Sequence, residues 1–158
     1  MPPGWAGTDQ VGVIDGRLAF PEGTNSVRFK HEMRGDFSMA LSFSHPYYSS
    51  VSLTLIASDG RAVVPIKILS PYGGNEKIVR VFDQMKQHAS QNLTNQWNLI
   101  IERTEGTYVV TTSAQGNNLD FVQKYRTAPD ISEVRITASV KWGTFIITSV
   151  RIGIPDSR

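Results

Sequence analysis

Hydroxyl, aromatic and basic side chains with the chemistry of a binding surface gather between residues 42 and 80. The set is Ser42, Ser44, His45, Tyr47, Arg61, Lys67 and Arg80. Aromatic faces beside hydroxyl groups suit sugar rings, and tyrosine is equally an anchor of protein–protein interfaces. The cations on neighbouring strands would suit an acidic ligand such as a sulfated glycan or an acidic peptide. A turn around Pro46 and a solvated sheet face are the structural alternatives.

Residues that could support catalysis or hold a metal ion do not form a recognisable pattern. His31, His45 and His88 have no partners at metal-ligand spacing, and no HExxH sequence is present. The chain has no glycine-rich phosphate loop and no nucleophile elbow, and Ser42 and Ser44 lie in mid-strand without an evident activating base. We therefore expect a protein that is not an enzyme and that carries no metal or other cofactor.

The elements that would position the binding residues are strands within the segment Phe37–Leu69. Large apolar residues alternate with small, mostly hydroxylated ones over Phe37–Ser44 and again over Val51–Leu55. A period of two places all the large side chains on one face of a strand. We therefore expect three consecutive antiparallel strands, with an apolar face against a second sheet and a hydroxyl-rich face that is free to bind a ligand.

Two dipeptides predict hairpin turns and, with them, the pairing of the flanking strands. Asp59-Gly60 predicts a type I′ turn, because both central residues of that turn need a positive φ. Counting back from it predicts three apolar pairs, namely Leu55 with Val64, Leu53 with Ile66 and Val51 with Ile68. Glu105-Gly106 predicts a second turn, which pairs Ile101 with Val110 and Leu99 with Thr112.

Short strands at near-regular spacing extend over most of the chain. They number about ten or eleven, without a convincing helix, which is typical of an antiparallel β-sandwich or jelly roll. The polar segment Asp83–Gln96 is interpreted as a mobile loop. We expect a flexible lead-in over residues 1–10, a single domain over residues 11–154 and a tail over residues 155–158.

The composition limits the environment and the classes of partner. Sixteen basic and fourteen acidic residues give a net charge of only +2, so we do not expect nucleic acid as a partner. The chain has no cysteine, and no apolar run approaches the roughly 20 residues of a membrane span. Its first ten residues lack the features of a secretory signal. We therefore expect a cytoplasmic or nuclear protein that does not insert into a membrane.

The order of strands and several short sequences resemble a galectin carbohydrate-recognition domain from about Val11 to Ile152. VGVIDGRLAFPEGTNSVRFKHEM is similar to the opening strands of the family, and MALSFSHPYY to its I-A-L-H-F-N-P-R-F strand. Near the C-terminus, YVVTTSAQGNNLDFVQKYR resembles the family's strand, turn and F-x-x-R segment, and a Trp-Gly turn precedes FIITSV. The resemblance implies an all-β, galectin-like jelly-roll sandwich.

The residues with which galectins bind β-galactosides are replaced in this chain. The family's His and Asn positions fall on Ser42 and Ser44, and its Arg falls near Tyr47, with His45 as an apparent insertion. The stacking Trp of the family has no counterpart, and Arg61 stands in that region. A site that loses its hydrogen-bonding groups loses most of its discrimination. The resemblance therefore supports the fold and argues against ordinary β-galactoside binding.

Two functions remain open for such a module. The preferred one is protein–protein interaction or self-association, because every galactoside-binding position has changed and nothing indicates secretion. Ile146, Ile147 and Val150 place apolar side chains on both faces of the last strand, which would fit a strand that a partner covers. Galectin-like sandwiches commonly dimerise through terminal strands, so the resemblance implies a homodimer. The residues expected at its interface are Ile147, Val150 and Trp142. The alternative is a lectin of altered specificity, which binds a glycan on its concave face through Ser42, Ser44, Tyr47, Arg61 and Lys67.

Overall fold

The alternating segments of the chain form strands that account for all the regular secondary structure described. The structure is a computed structural model that describes residues 5–7, 11–14, 17–44, 49–70, 76–89, 96–114, 117–127 and 129–153. Over these residues there is no helix, and hence none that could cross a membrane. The strands are β1 (Trp5–Gly7), β2 (Gly12–Ile14), β3 (Arg17–Phe20), β4 (Gly23–Met33), β5 (Phe37–Ser44), β6 (Ser49–Ala57), β7 (Ala62–Ser70), β8 (Glu76–Val81), β9 (Gln84–Ala89), β10 (Gln96–Thr104), β11 (Thr107–Ala114), β12 (Asn117–Lys124), β13 (Ile131–Val140) and β14 (Phe145–Gly153).

The strands form two seven-stranded antiparallel sheets. Sheet A has the order β1-β4-β13-β6-β7-β8-β9, and sheet B has the order β12-β11-β10-β5-β14-β3-β2. Each sheet has an apolar face that must leave water, and the two apolar faces pack against each other. The predicted fold class, an all-β antiparallel sandwich, is confirmed.

One hydrophobic core lies between the sheets. Its largest buried side chains include Trp97, Tyr108 and Phe121, each at most 1% exposed. The ring of Phe145 lies 5.3 Å from that of Phe20 and 5.5 Å from that of Phe43, measured between centroids. Full burial of one large apolar side chain contributes about 1.5–3 kcal/mol, so the alternating pattern supplies most of the driving force for this arrangement.

The register predicted for the β6–β7 hairpin is confirmed, but its turn is of another type. Leu55 pairs with Val64, as expected, and Gly60 has a positive φ of 86° whereas Asp59 does not. The loop closes with hydrogen bonds from the Ala57 N–H to the Arg61 carbonyl and from the Gly60 N–H to the Ala57 carbonyl, both 2.9 Å long. This is a three-residue loop, whose extra residue is absorbed by a β-bulge next to Leu55.

The β10–β11 hairpin turns at Glu105-Gly106, as its sequence predicts, and the turn is of the primed kind. Glu105 and Gly106 both have positive φ, of 50° and 81°. Ile101 pairs with Val110 and Leu99 with Thr112, as expected. The Glu105 N–H also donates to the Asp36 carboxylate over 2.9 Å, which ties this turn to the chain just before β5.

Three sequence-based expectations about the elements are wrong. β5 does not pair with β6, because it lies in sheet B between β10 and β14 whereas β6 lies in sheet A. The alternation in both strands shows that one face is buried, but it does not show which strand lies alongside. The segment Asp83–Gln96 contains strand β9, and the lead-in contains strand β1, which pairs with β4.

The polar composition of β9 has a structural reason. The side-chain amide of Gln84 donates to the Val122 carbonyl over 3.0 Å, and the Lys86 ammonium donates to the Asp120 carbonyl. Lys86 also lies over the ring of Phe121, 5.0 Å from its centroid. β9 of sheet A therefore closes one side of the sandwich against β12 of sheet B with polar side chains.

Candidate functional site

The structure divides the predicted binding residues between opposite faces of the sandwich. Ser42 and Ser44 lie on the outer face of sheet B, where the Ser42 hydroxyl donates to the Asn98 side-chain oxygen over 2.7 Å. Lys67 and Arg80 are exposed on the outer face of sheet A. The prediction of a single surface is wrong because it assumed that β5 pairs with β6.

The remaining predicted ligand residues add little to either face. Arg61 lies beyond the β6–β7 turn, where its backbone N–H donates to the Asp59 carboxylate over 2.9 Å and its guanidinium lies 3.7 Å from the same carboxylate. His45 and Tyr47 lie outside the described residues. Arg61 therefore supports a turn, and the two aromatic positions stay predictions.

Two of the three predicted interface residues lie on the inner side of their strand. Ile147 is 3% exposed and pairs with Phe43, and Val150 is half-buried against the same core. β14 is also an interior strand, bonded to β5 and, over its first three residues, to β3. Ile147 is therefore a core residue and cannot contact a partner. Trp142, by contrast, is 54% exposed in the turn after β13.

A regular array of hydroxyl groups covers the outer face of sheet A. Three adjacent strands, β4, β13 and β6, each contribute two residues to it. One row is Ser26–Thr137–Ser52 and the next is Thr24–Ser139–Ser50, each following the register of the sheet. We call these six residues the hydroxyl grid. Residues two apart on a strand share a face, so all six side chains point outwards.

Hydrogen bonds order one side of the hydroxyl grid and leave the other available. Thr24 and Ser139 share a hydrogen bond of 2.9 Å, and Ser26 and Thr137 share one of 2.8 Å. Within the described part of the chain, the hydroxyls of Ser50 and Ser52 have no such partner. A free hydroxyl offers one donor and two acceptor positions, so the β6 side of the grid has unused hydrogen-bonding capacity.

A cavity of about 470 Å³ lies at one end of the grid. Thr24, Ser50 and Ser139 line it, together with Ser49, Ser70, Gly23, Leu69, Val140 and Lys141. This volume is within the roughly 300–1,000 Å³ usual for small-molecule sites. The Lys141 ammonium lies 4.8 Å from the centroid of the Trp142 ring, so an exposed aromatic ring stands beside this cavity.

Two further cavities lie beside the same sheet. One of about 290 Å³ is lined by Arg28 and Arg135 together with Ser26 of the grid. The other, of about 510 Å³, lies at the opposite end of sheet A and is lined by Lys30, Glu133 and Arg135 among others. The outer face of sheet A is therefore recessed at both ends as well as rich in hydroxyl groups.

Cationic side chains flank the hydroxyl grid on two sides. The first row continues from Ser52 to Lys67 and then to Arg80, which is its direct cross-strand partner. On the other side, Arg28 and Arg135 are direct partners in the next row of β4 and β13. Arg135 donates to the Glu133 carboxylate over 2.8 Å, so part of its charge is compensated.

The groups with shifted pKa values lie away from the grid. Burial lowers the pKa of Lys77 on β8 to about 8, and its side chain points to the inner side of sheet A. Burial also raises the pKa values of Tyr108 and Tyr125, which lie between the sheets. No group of three or more potential metal ligands occurs among the described residues. The surface itself thus offers hydrogen bonds and positive charge.

The sequence identifies some of the residues on this surface, but not that they come together in one place. The hydroxyl-rich faces of β6 and β13 are visible in the alternation around Ser52 and Thr137. Thr24 and Ser26 were missed, because they precede the weak alternation of β4. The residues meet only through the order β4-β13-β6, in which β13 comes from the C-terminal part of the chain. The alternation in each of the three segments indicates which side chains face outwards. No feature of the sequence indicates that these three strands are neighbours in one sheet.

Comparison with known proteins identifies the fold without naming a family. No protein-family model matches the chain, and no curated protein is similar in sequence. The exoplasmic/lumenal domain of VIP36 matches with a TM-score of 0.73 and 10% identity, over 99% of this chain and 85% of that one. A legume lectin-like domain from Entamoeba histolytica matches with a TM-score of 0.68 and 12% identity, over 97% and 91%.

A tetrameric galectin from the ball sponge Cinachyrella sp. is also similar, with a TM-score of 0.58 and 12% identity, over 81% of this chain and 99% of that one. The chain therefore has a lectin-like jelly-roll fold, and membership of the galectin family is not shown. Enzymes share the architecture as well, since a sialidase and an alginate lyase from Klebsiella pneumoniae are among the similar structures. The fold alone thus leaves the function to be argued from the surface.

Proposed function

We propose that this protein is a non-catalytic carbohydrate-binding module and that its binding surface is the outer face of sheet A. The observation that carries the proposal is the hydroxyl grid, in which the hydroxyls of Ser50 and Ser52 have no partner among the described residues and Ser50 lines a cavity of about 470 Å³. Sugars present several hydroxyl groups at once, and a surface of small side-chain hydroxyls can exchange donors and acceptors with them. The likeness to lectin-like domains supports the same class of ligand.

A lectin of altered specificity, the alternative drawn from the sequence, thereby becomes the preferred function. The preference for protein interaction or self-association rested on the changed galactoside-binding positions and the lack of a secretion signal. Ile147 belongs to the core, which removes the additional support that the last strand offered for self-association. A homodimer stays a prediction, and so does a protein partner.

The proposal is tested by comparing two double variants that remove hydroxyls from opposite faces. Ser50→Ala with Ser139→Ala removes hydroxyls that line the cavity, and Ser42→Ala with Ser44→Ala removes hydroxyls from the outer face of sheet B. One hydrogen bond contributes about 0.5–1.5 kcal/mol. We therefore expect the first pair to weaken binding on an array of neutral and acidic oligosaccharides by about tenfold or more, and the second pair to leave it unchanged.

Two results of this experiment would contradict the proposal. One is the absence of binding to any oligosaccharide by the unmodified protein. The other is a loss of binding confined to the Ser42 and Ser44 variant. Melting temperatures of both variants provide the folding control, since all four substitutions lie on solvent-facing sides of the sheets.

A further inference from the structure

The outer face of sheet A holds two pairs of like charges on neighbouring strands. Lys67 of β7 is directly opposite Arg80 of β8, and Arg28 of β4 is directly opposite Arg135 of β13. Like charges in directly opposite positions destabilise a sheet. Two such pairs on one face are therefore a cost that the fold itself does not explain.

Three of these four cations also lack a carboxylate partner of the kind that several other arginines have. Arg34, Arg61 and Arg103 each lie within 4.0 Å of a carboxylate, at distances of 2.9, 3.7 and 3.4 Å. Within the described residues, no carboxylate is within that distance of Lys67, Arg80 or Arg28. Of the two pairs, Arg135 alone has an acidic partner, Glu133. Three of the four cations in the two pairs therefore have no carboxylate partner among the described residues.

The rows that contain the two pairs have no acidic residue. They comprise Ser26, Thr137, Ser52, Lys67, Arg80 and Met85 in one row and Arg28, Arg135, Thr54 and Pro65 in the next. The whole chain has sixteen basic and fourteen acidic residues, so its net charge of +2 conceals this local excess. A surface of this kind attracts anionic ligands.

The spacing of the pairs indicates an extended ligand. Three strand spacings separate the middles of the pairs across the sheet, and one row separates them along the strands. With about 4.8 Å between strands and about 3.4 Å per residue, this amounts to about 16 Å. A single small anion cannot contact both pairs. A chain with repeated anionic groups can, and its hydroxyl groups would then lie over Ser52 and Thr137 between the pairs.

We propose that the outer face of sheet A binds a polyanionic polysaccharide, bearing carboxylate or sulfate groups, laid across the strands from the Arg28–Arg135 pair to the Lys67–Arg80 pair. This rests on the proposed function and names its ligand class. Single-stranded nucleic acid is the competing polyanion, and it binds through aromatic side chains that stack on its bases. The two cationic rows contain no aromatic residue, which favours a glycan.

The test uses polymers with one backbone and different charge. Dextran, carboxymethyl-dextran and dextran sulfate are titrated into the full chain, with single-stranded DNA as a further polyanion. We expect binding to one or both charged dextrans, none to dextran at the same concentration, and at least tenfold weaker binding to DNA. The two charged dextrans distinguish carboxylate from sulfate. Affinity should fall steeply with salt, because charge pairing releases counter-ions from the polymer.

Variants that remove charge from one face at a time show which face binds the polymer. Lys67→Gln with Arg80→Gln should weaken binding to the charged dextran at least tenfold and reduce its salt dependence. Lys124→Gln with Arg151→Gln removes the same charge from the outer face of sheet B, where both residues are exposed, and should change binding less than twofold. The melting temperature of the first variant should not fall, because the substitution relieves a like-charge contact.

Four outcomes would overturn the inference. Equal loss in both charge variants would mean a non-specific effect of net charge, and DNA binding as tight as dextran sulfate binding would mean a general polyanion surface. Salt-independent binding of a neutral glycan, unaffected by Lys67→Gln with Arg80→Gln, would leave the proposed carbohydrate-binding function standing and remove only this ligand class. A failure to bind any glycan would contradict both.

Discussion

A charged side chain in the interior makes the stability of this protein depend on pH. Lys77 is 1% exposed, because the alternation of β8 turns it to the same side as the buried Val79 and Val81. Burial disfavours the charged form and lowers the pKa of Lys77 from 10.5 to about 8. Unfolding returns the ammonium group to water and restores the ordinary pKa.

The sign of the pH dependence follows from these two values. Between pH 8 and 10.5, the unfolded state holds more protons on Lys77 than the folded state, so the free energy of unfolding rises with pH. We expect a rise on the order of 1 kcal/mol between about pH 8 and 9.5, allowing for solvent screening. Urea denaturation measures it, and Lys77→Met should remove most of the slope. Equal slopes in both proteins would exclude Lys77 as the source.

Tyrosines limit this gain at higher pH. Burial raises the pKa values of Tyr108 and Tyr125 above the ordinary value of 10.0. In the unfolded state these phenols ionise first, so their contribution to stability is present below pH 10 and is lost as the pH rises further. The measurement for Lys77 therefore belongs below pH 10, where the two effects do not overlap.

At the scale of elements, a bulge and a tyrosine connect the two sheets. The bulge of the β6–β7 hairpin leaves Val63 outside the regular pairing, so its carbonyl is available for another donor. The Tyr125 hydroxyl, just after β12 of sheet B, donates to that carbonyl over 2.6 Å. Val63 is 2% exposed, so water offers little replacement for this bond.

Tyr125→Phe should therefore destabilise the fold. The substitution keeps the ring and leaves the buried Val63 carbonyl without this donor, which costs about 1–3 kcal/mol. Thr111→Val is the matched control, because it removes a 2.7 Å hydrogen bond to Asp120 on the exposed side of sheet B. The control should change the free energy of unfolding by less than about 0.5 kcal/mol. The free energy of unfolding of both variants is measured by urea denaturation. Similar losses in the two would mean that the hydrogen bond between the sheets stabilises the fold no more than an exposed one does.

The same scale shows which part of the fold the sequence predicts. Strand existence and hairpin register depend on residues close in the chain, and the pairs Leu55–Val64 and Ile101–Val110 were predicted correctly. Sheet membership depends on distant partners, so the position of β5 in sheet B was not predictable from its own alternation. β9 was missed because its polar side chains bond to the other sheet, which hides the usual pattern of a strand.

At the scale of the whole molecule, the two outer faces of the sandwich differ in chemistry. The outer face of sheet A combines the hydroxyl grid with the Arg28–Arg135 and Lys67–Arg80 pairs. The outer face of sheet B has acidic Asp120 and Glu102 balanced by basic Lys124 and Arg151, together with the exposed apolar Val122. A nearly neutral chain can thus present one strongly basic surface, which its overall charge does not reveal.

The sequence predicts the types of residue in the candidate site better than it predicts where on the molecule they lie. Lys67, Arg80 and the serine-rich face of β6 were identified from residue type and alternation. Ser42 and Ser44 were assigned to the same surface because they precede β6 in the chain, and the sandwich places them on the opposite side. Thr24 and Ser139 share a hydrogen bond across 115 residues of sequence, a contact that local patterns cannot contain.

The most direct test of the binding surface is a map of amide chemical shifts. Uniformly 15N-labelled protein is titrated with short dextran sulfate oligomers, and the shift of each backbone amide is followed. We expect the largest changes in β4, β13, β6, β7 and β8, centred on Ser52, Lys67 and Thr137. Changes confined to β5, β10 and β14 would place the ligand on the outer face of sheet B and contradict the assignment of the surface.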